Sequence, residues 1–205
     1  MSLFPMFVKL EGRCVVVVGG GEIAAGKIEG LLQAGAKVRI VSPALNSVLS
    51  YLARENKIEW REKEFESRDL EDAFLTIAAT SLSSVNQSVY RVADALGILC
   101  NAVDDIANCH FYYGSVVQRG DLQIAISTNG KSPALAQRLR KELETQFGPE
   151  YESWLEWLGA AREVLRAAGA SQAQNKEMLH SLASKGMFER FVRESNSEPS
   201  TKGVQ

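Results

Sequence analysis

Cysteine is scarce in this chain of 205 residues. Cys14, Cys100 and Cys109 are an odd set with no C-x-x-C spacing, so neither a disulfide framework nor a zinc site is indicated, and a reducing compartment fits best. Long hydrophobic runs are missing: none approaches the ~18 apolar residues of a membrane span, and the opening "MSLFPMFVKLEGR" has too short an apolar stretch for a signal peptide. A dominant charge is missing too. With 23 Lys and Arg against 25 Asp and Glu, the net charge of −2 leaves no electrostatic footprint for nucleic acid. The expectation is a soluble, cytoplasmic protein that binds neither membranes nor nucleic acid. No internal repeat is visible.

What is present is an alternation. "CVVVV" (14–18) is a short β-branched run bounded by glycines, as in a strand buried on both faces of a parallel sheet. From Glu22 to Ala34 the apolar residues Ile23, Ala24, Ile28, Leu31 and Leu32 fall at helical spacing, with Gly35 as the stop. "AKVRIVS" (36–42) reads as a second strand, 44–55 as a helix, 58–62 as a strand, Leu70–Phe74 as a short helical piece and 75–79 as a strand. A helix over Ser84–Leu96, with Val85, Val89, Val92, Ala93 and Leu96 inward, leads to a fifth strand, "ILCNAV" (98–103). Strands alternating with helices predict an α/β, Rossmann-like doubly wound parallel sheet.

The character changes after residue 110. "FYYGSVVQRGDLQIAIST" carries two apolar runs around "RGD", which reads as a hairpin. Ser132-Pro133 then opens a helix as N-cap and first helical residue, followed by helices at 150–168 and about 172–194. The boundaries expected are a nucleotide-binding domain over 1–112, a small α+β segment over 113–147, a helical domain over 148–194 and a disordered tail over 195–205.

Gly19, Gly21 and Ala24 have G-x-G-x-x-A spacing between the first strand and the first helix. The first glycine permits the tight turn, the second allows a pyrophosphate close to the backbone, and the small third residue lets helix pack on strand. The helix start, Glu22 and Ile23, offers unpaired N–H groups to an anion. The usual acidic residue ~20 positions on, which grips the adenine ribose, is absent. "RIVSPA" ends in Ser42-Pro43-Ala44, so Ser42 and the backbone of Pro43 and Ala44 are assigned the ribose contacts. Arg39 lies inside the strand, poorly placed for a 2′-phosphate.

Four stretches, in order and spacing, resemble the precorrin-2 dehydrogenase family of sirohaem synthesis: "FPMFVKLEGRCVVVVGGGEIAAGKIEGLLQAGAKVRIVSP", "IAATSLSSVNQSVYRVA", "LCNAVDD" and "IAISTNGKSPALAQRLRKELE". That family includes the N-terminal part of sirohaem synthase and its sirohydrochlorin ferrochelatases. The resemblance implies NAD-dependent oxidation of precorrin-2 to sirohydrochlorin, in some members ferrous iron insertion as well, and a homodimer built partly from 113–147. It also implies a stand-alone dehydrogenase without the methylation module.

The family's N-x-V-D aspartate falls on Asp104, the expected catalytic base, with Asp105 turned elsewhere. Thr80, Asn86 and Asn101 match positions on the nicotinamide side. A substrate rich in carboxylates suggests Ser127, Thr128, Asn129, Lys131 and Arg138 as its anion-binding residues. Cys109 and His110 are adjacent but lack further ligands, so no bound metal is assigned and they are read as a structural thiol and a surface imidazole. The chain departs from the family at Gly114, where members carry proline. The competing reading from another class is a non-catalytic NAD-sensing regulatory module.

Overall fold

The computed structural model describes residues 3–169 and 171–197. The chain divides into two compact units, one up to Tyr113 and one from Gly114 on.

The first unit is the parallel sheet. Strands β1 (Cys14–Val18), β2 (Lys37–Val41), β3 (Glu59–Arg61), β4 (Leu75–Ala78) and β5 (Leu99–Ala102) lie in the order β3-β2-β1-β4-β5. All four pairings are parallel, and Val15–Val18 on the central strand face Val38–Val41 on one side and Leu75–Ala78 on the other. The alternation of β1 builds two cores. Val15 and Val17 pack with Ala24, Ile28 and Leu31 of helix α1 (Glu22–Gln33) and Leu49 of α2 (Ser47–Arg54). Val16 and Val18 pack with Val89 and Ala93 of α3 (Ser83–Leu96). Helices therefore cover both faces, the doubly wound arrangement expected, and each buried valine contributes about 1.5–3 kcal/mol.

The differences from the sequence reading have local causes. Ile23, which the helical spacing sets with Ala24, Ile28 and Leu31, is 48% exposed because it stands in the first turn of α1, beyond the sheet edge. Leu96, also expected inward, is 51% exposed at the last turn of α3. Helix α2 begins at Ser47 rather than 44, because Asn46 caps it by accepting from the Leu49 amide at 2.9 Å. The short helical piece is a 3₁₀ turn at Ser67–Leu70, set earlier than 70–74 because the Asp69 carboxylate reaches back to the Glu66 amide at 2.8 Å.

In the second unit, β6 (Ser115–Arg119) and β7 (Leu122–Ile126) pair antiparallel as the expected hairpin. A Cβ at Gly114 would stand 2.8 Å from the Ile126 carbonyl oxygen, so the close approach of β7 accounts for glycine there. Helix α4 (Pro133–Gln146) is capped by Ser132, which accepts from the Leu135 amide, and Arg119 holds its other end through the Glu144 and Phe147 carbonyls at 3.1 and 2.9 Å. Beyond α5 (Glu150–Ala167), the single helix expected over 172–194 is two, α6 (Gln172–Leu182) and α7 (Lys185–Ser197). Ser184 breaks it by accepting from the Met187 amide as a new N-cap. Phe188 of α7 packs on Tyr151 and Trp154 of α5, at ring-centroid distances of 4.3 and 4.8 Å. Of the expected tail, 195–197 belong to α7 and the rest lies outside the described residues.

Candidate active site

The strand order reverses between β1 and β4, and a cleft of about 1080 Å³ opens there at the carboxyl edge of the sheet. Crevices at such a switch point are where doubly wound folds bind ligands. Gly19, Gly21, Glu22, Ile23, Ser42, Pro43, Ala44 and Thr80 all line it, so eight of the nine expected cofactor residues converge. Asn101 does not line it: its buried amide donates to the Phe111 carbonyl at 2.8 Å.

The glycines divide their work. Gly19 has φ +122, and a Cβ on it would lie 2.4 Å from the Ala79 carbonyl oxygen, so it lets β1 leave the sheet against the end of β4. Gly20, to which the sequence reading gave no role, is tighter still: a Cβ there would stand 2.0 Å from the Ala44 carbonyl oxygen. At Gly21 a Cβ would meet nothing within 4 Å, and the space belongs to the cleft. The amides of Glu22, Ile23 and Ala24 precede the first intrahelical bond of α1 and meet no acceptor among the described residues. Unpaired amides at a helix start beside an open backbone suit a pyrophosphate in shape, charge and hydrogen bonding. The Glu22 carboxylate is occupied, accepting from Asn46 Nδ2 at 2.9 Å.

Around this turn the polar side chains mostly hold backbone. Ser42 is nine-tenths buried and its hydroxyl donates to the Ala44 carbonyl at 2.8 Å, which shapes the turn. Asn86 clamps the end of β4. Its Oδ1 accepts from the Thr80 amide and hydroxyl at 3.1 and 2.8 Å, and its Nδ2 donates to the Thr80 carbonyl at 3.0 Å. Arg39 is tied to Asp72 and Glu59 and is not among the cleft residues. No lysine, arginine or histidine is found among the described residues that line the cleft.

Asp104 follows β5 at the same edge of the sheet, exposed and with φ +61. The loop beneath it is stitched to β5. The Cys109 thiol donates to the Ala102 and Asp105 carbonyls at 3.1 and 3.2 Å, and Asn108 Nδ2 donates to the Asp105 carboxylate at 2.6 Å. His110 is exposed, as expected of a surface imidazole, yet bonded into the structure. Its Nδ1 accepts from the Cys100 amide at 3.1 Å, its Nε2 meets Asp94 at 3.1 Å, and its ring stacks on Tyr90. Ser127, Thr128, Asn129 and Lys131 lie between β7 and α4 in the second unit, where Ser127 Oγ accepts from the Asn129 amide and Thr128 Oγ1 from the Ser132 amide. Arg138, on an exposed face of α4, pairs with Glu142 at 3.2 Å.

A family model described as "Putative NAD(P)-binding" matches residues 6–115, and one for the central part of sirohaem biosynthesis proteins matches 119–146. The chain is 43% identical over 166 residues to a siroheme synthase of Neisseria meningitidis, covering 81% of this chain and 34% of that protein. To a siroheme synthase of Mannheimia succiniciproducens it is 35% identical over 205 residues, covering 100% of this chain and 43% of that protein. It thus spans about a third to two-fifths of the length of these curated relatives. The solved structure of SirC, precorrin-2 dehydrogenase, superposes with a TM-score of 0.76 at 25% identity, over 96% of this chain and 100% of that one. With the glycine turn, the switch-point cleft and a family model over more than half its length in agreement, the chain belongs to this NAD(P)-binding family and continues into the central segment of sirohaem biosynthesis proteins.

Proposed function

We propose that this chain oxidises precorrin-2 to sirohydrochlorin in sirohaem biosynthesis, using NAD. The observation that carries the reading is the juxtaposition at one sheet edge of a cleft and, two strands over from β1, the Asp104 carboxylate, where neither the helix-start amides nor that carboxylate has a partner among the described residues. The likeness to the siroheme synthases and to the precorrin-2 dehydrogenase SirC supports it.

NAD, when bound, accepts a hydride from the macrocycle. The amides of Glu22 and Ile23 would hold the pyrophosphate beside Gly19 and Gly21, Pro43 and Ala44 would contact the adenosine, and Thr80 the nicotinamide end. Breaking a ring C–H bond as hydride removes two electrons, and a proton must also leave. Asp104 receives it. Asn101 holds the loop of Asp104 rather than the dinucleotide. Ser127, Thr128, Asn129, Lys131 and Arg138 bind substrate carboxylates, and the second unit joins a homodimer. Ferrous iron is a second substrate on this reading, with Asp104 removing the pyrrole protons. The three unbridged cysteines support a cytoplasmic setting.

The test is an anaerobic assay of the full chain with precorrin-2 and NAD, then ferrous iron, following the two absorbance changes separately. Asp104→Asn is expected to lower the oxidation rate by about 10²–10⁴-fold with NAD affinity unchanged. Full turnover in that variant removes Asp104 from the mechanism. Tight NAD binding without any turnover in the parent chain favours a sensing module instead.

A further inference from the structure

Of the adenosine contacts read from the sequence, the one side chain involved, Ser42, is spent on its own turn. Its neighbour in space is the chain leaving β3. The Ser42 amide donates to the Arg61 carbonyl at 3.2 Å, and the Trp60 indole donates to the Ser42 carbonyl at 3.0 Å. Three residues past Arg61, Glu64 reaches the same cleft as Ser42 and Pro43.

The charges around Glu64 are paired off. Arg61 holds Glu59 and Asp69, Lys63 holds Glu66 and Asp69, and Arg68 holds Glu66. Among the described acidic residues between Glu59 and Asp69, Glu62 and Glu64 alone have no cation, and of these two only Glu64 lines the cleft. The cleft thus has a solvated carboxylate on its adenosine side and no cation to receive a phosphate.

We propose that Glu64 supplies the carboxylate that accepts the adenosine ribose hydroxyls, in place of the acidic residue missing from the end of β2, and that it makes the cleft reject a 2′-phosphorylated dinucleotide. This rests on the cleft's being the dinucleotide site of the proposed dehydrogenase. A ribose 2′-hydroxyl donates to a carboxylate, whereas a 2′-phosphate places like charges together with nothing to neutralise them.

Calorimetric titration of the full chain with NAD, NADP, 5′-AMP and adenosine 2′,5′-bisphosphate, at one fixed ionic strength, tests it. The parent chain is expected to bind NAD at least ~10-fold more tightly than NADP, and 5′-AMP more tightly than the bisphosphate by a similar factor. Glu64→Gln is expected to narrow both ratios by about tenfold or more, chiefly by tightening the phosphorylated ligands. Glu62→Gln removes another exposed charge, outside the cleft, and is expected to leave them unchanged. The assignment is overturned if the parent binds NADP as well as NAD, if Glu64→Gln keeps the parent ratios, or if Glu62→Gln narrows them as much. These titrations contain no precorrin-2, so failure of the Glu64 assignment and failure of the proposed oxidation are seen in separate experiments.

Discussion

Alanine in place of Gly20 and alanine in place of Gly21, adjacent residues in one turn, should fail in opposite ways. At position 20 the new Cβ would lie 2.0 Å from the Ala44 carbonyl oxygen, so backbone must retreat by about 1 Å to reach even the shortest contact real structures show. That carbonyl is held by Ser42 Oγ at 2.8 Å, and Asn46 N donates to the Gly20 carbonyl at 2.8 Å. Overpacking of this kind costs about 1–3 kcal/mol, and two loosened hydrogen bonds add about 1 kcal/mol each. At roughly 2–4 °C per kcal/mol for a chain of this size, Gly20→Ala should melt roughly 10 °C below the parent. At position 21 the backbone has φ −91 and the space is open, so Gly21→Ala should cost no more than about 1 kcal/mol. Its methyl group instead occupies the approach to the helix-start amides. The parent, with NAD at a hundred times its Kd, gains about 2.7 kcal/mol, and Gly21→Ala should lose most of that gain. Scanning calorimetry of the three proteins with and without NAD reads both effects. A Gly20→Ala protein that melts with the parent, or a Gly21→Ala protein that keeps the full NAD shift, refutes the assignment of packing to one glycine and ligand space to the other.

Two further outcomes concern titrating groups. Burial opposes the charge on Asp69, but the Glu66 amide, Lys63 and Arg61 outweigh it and hold its carboxyl below the usual carboxylate range. A folded value below the unfolded one means stability present above about pH 4 and lost as pH falls through the folded value. Asp69→Asn should therefore cost about 3 kcal/mol at neutral pH, and the urea midpoints of variant and parent should converge on acidification; a gap independent of pH refutes the ion-pair account. Burial pushes the Cys100 thiol up to about 12 and raises Cys14 and Cys109 as well, so a disulfide reagent near pH 8 should modify the native chain at least about tenfold more slowly than the unfolded chain. Fast labelling of any one native cysteine contradicts this.

Much of the first unit was legible because its signals are local. Four consecutive valines bounded by glycine read as a strand covered on both faces, and helical spacing from Glu22 assigns one face to Ala24, Ile28 and Leu31. The reading erred where a polar side chain overrode the apolar pattern. Asn46 starts α2 late, Asp69 pulls a 3₁₀ turn forward, and Ser184 divides a helix whose apolar spacing alone continues through it. Within the site, the glycine turn was legible and the role of Gly20 was not, because it depends on where the 42–46 turn passes. Glu64 was illegible for the same reason: only the strand order places the exit of β3 beside the end of β2.

At Asp104 backbone strain and side-chain pairing can be weighed against each other. A left-handed aspartate costs of the order of 1 kcal/mol in backbone energy, a cost that glycine at the same position would avoid. Elsewhere in this segment the polar side chains offset what they cost through named bonds: Asn101 to Phe111, Asn108 to Asp105, Cys109 to Ala102, His110 to Cys100 and Asp94. The carboxylate of Asp104 has no partner among the described residues; the turn it sits in is closed by the backbone, where the Asp105 amide donates to the Ala102 carbonyl at 3.2 Å. No hydrogen bond or ion pair of its carboxylate among the described residues accounts for aspartate at this position. On the proposed function, a base that must meet its substrate at an open sheet edge would account for it, because such a group has to be held by its backbone while its side chain stays unspent.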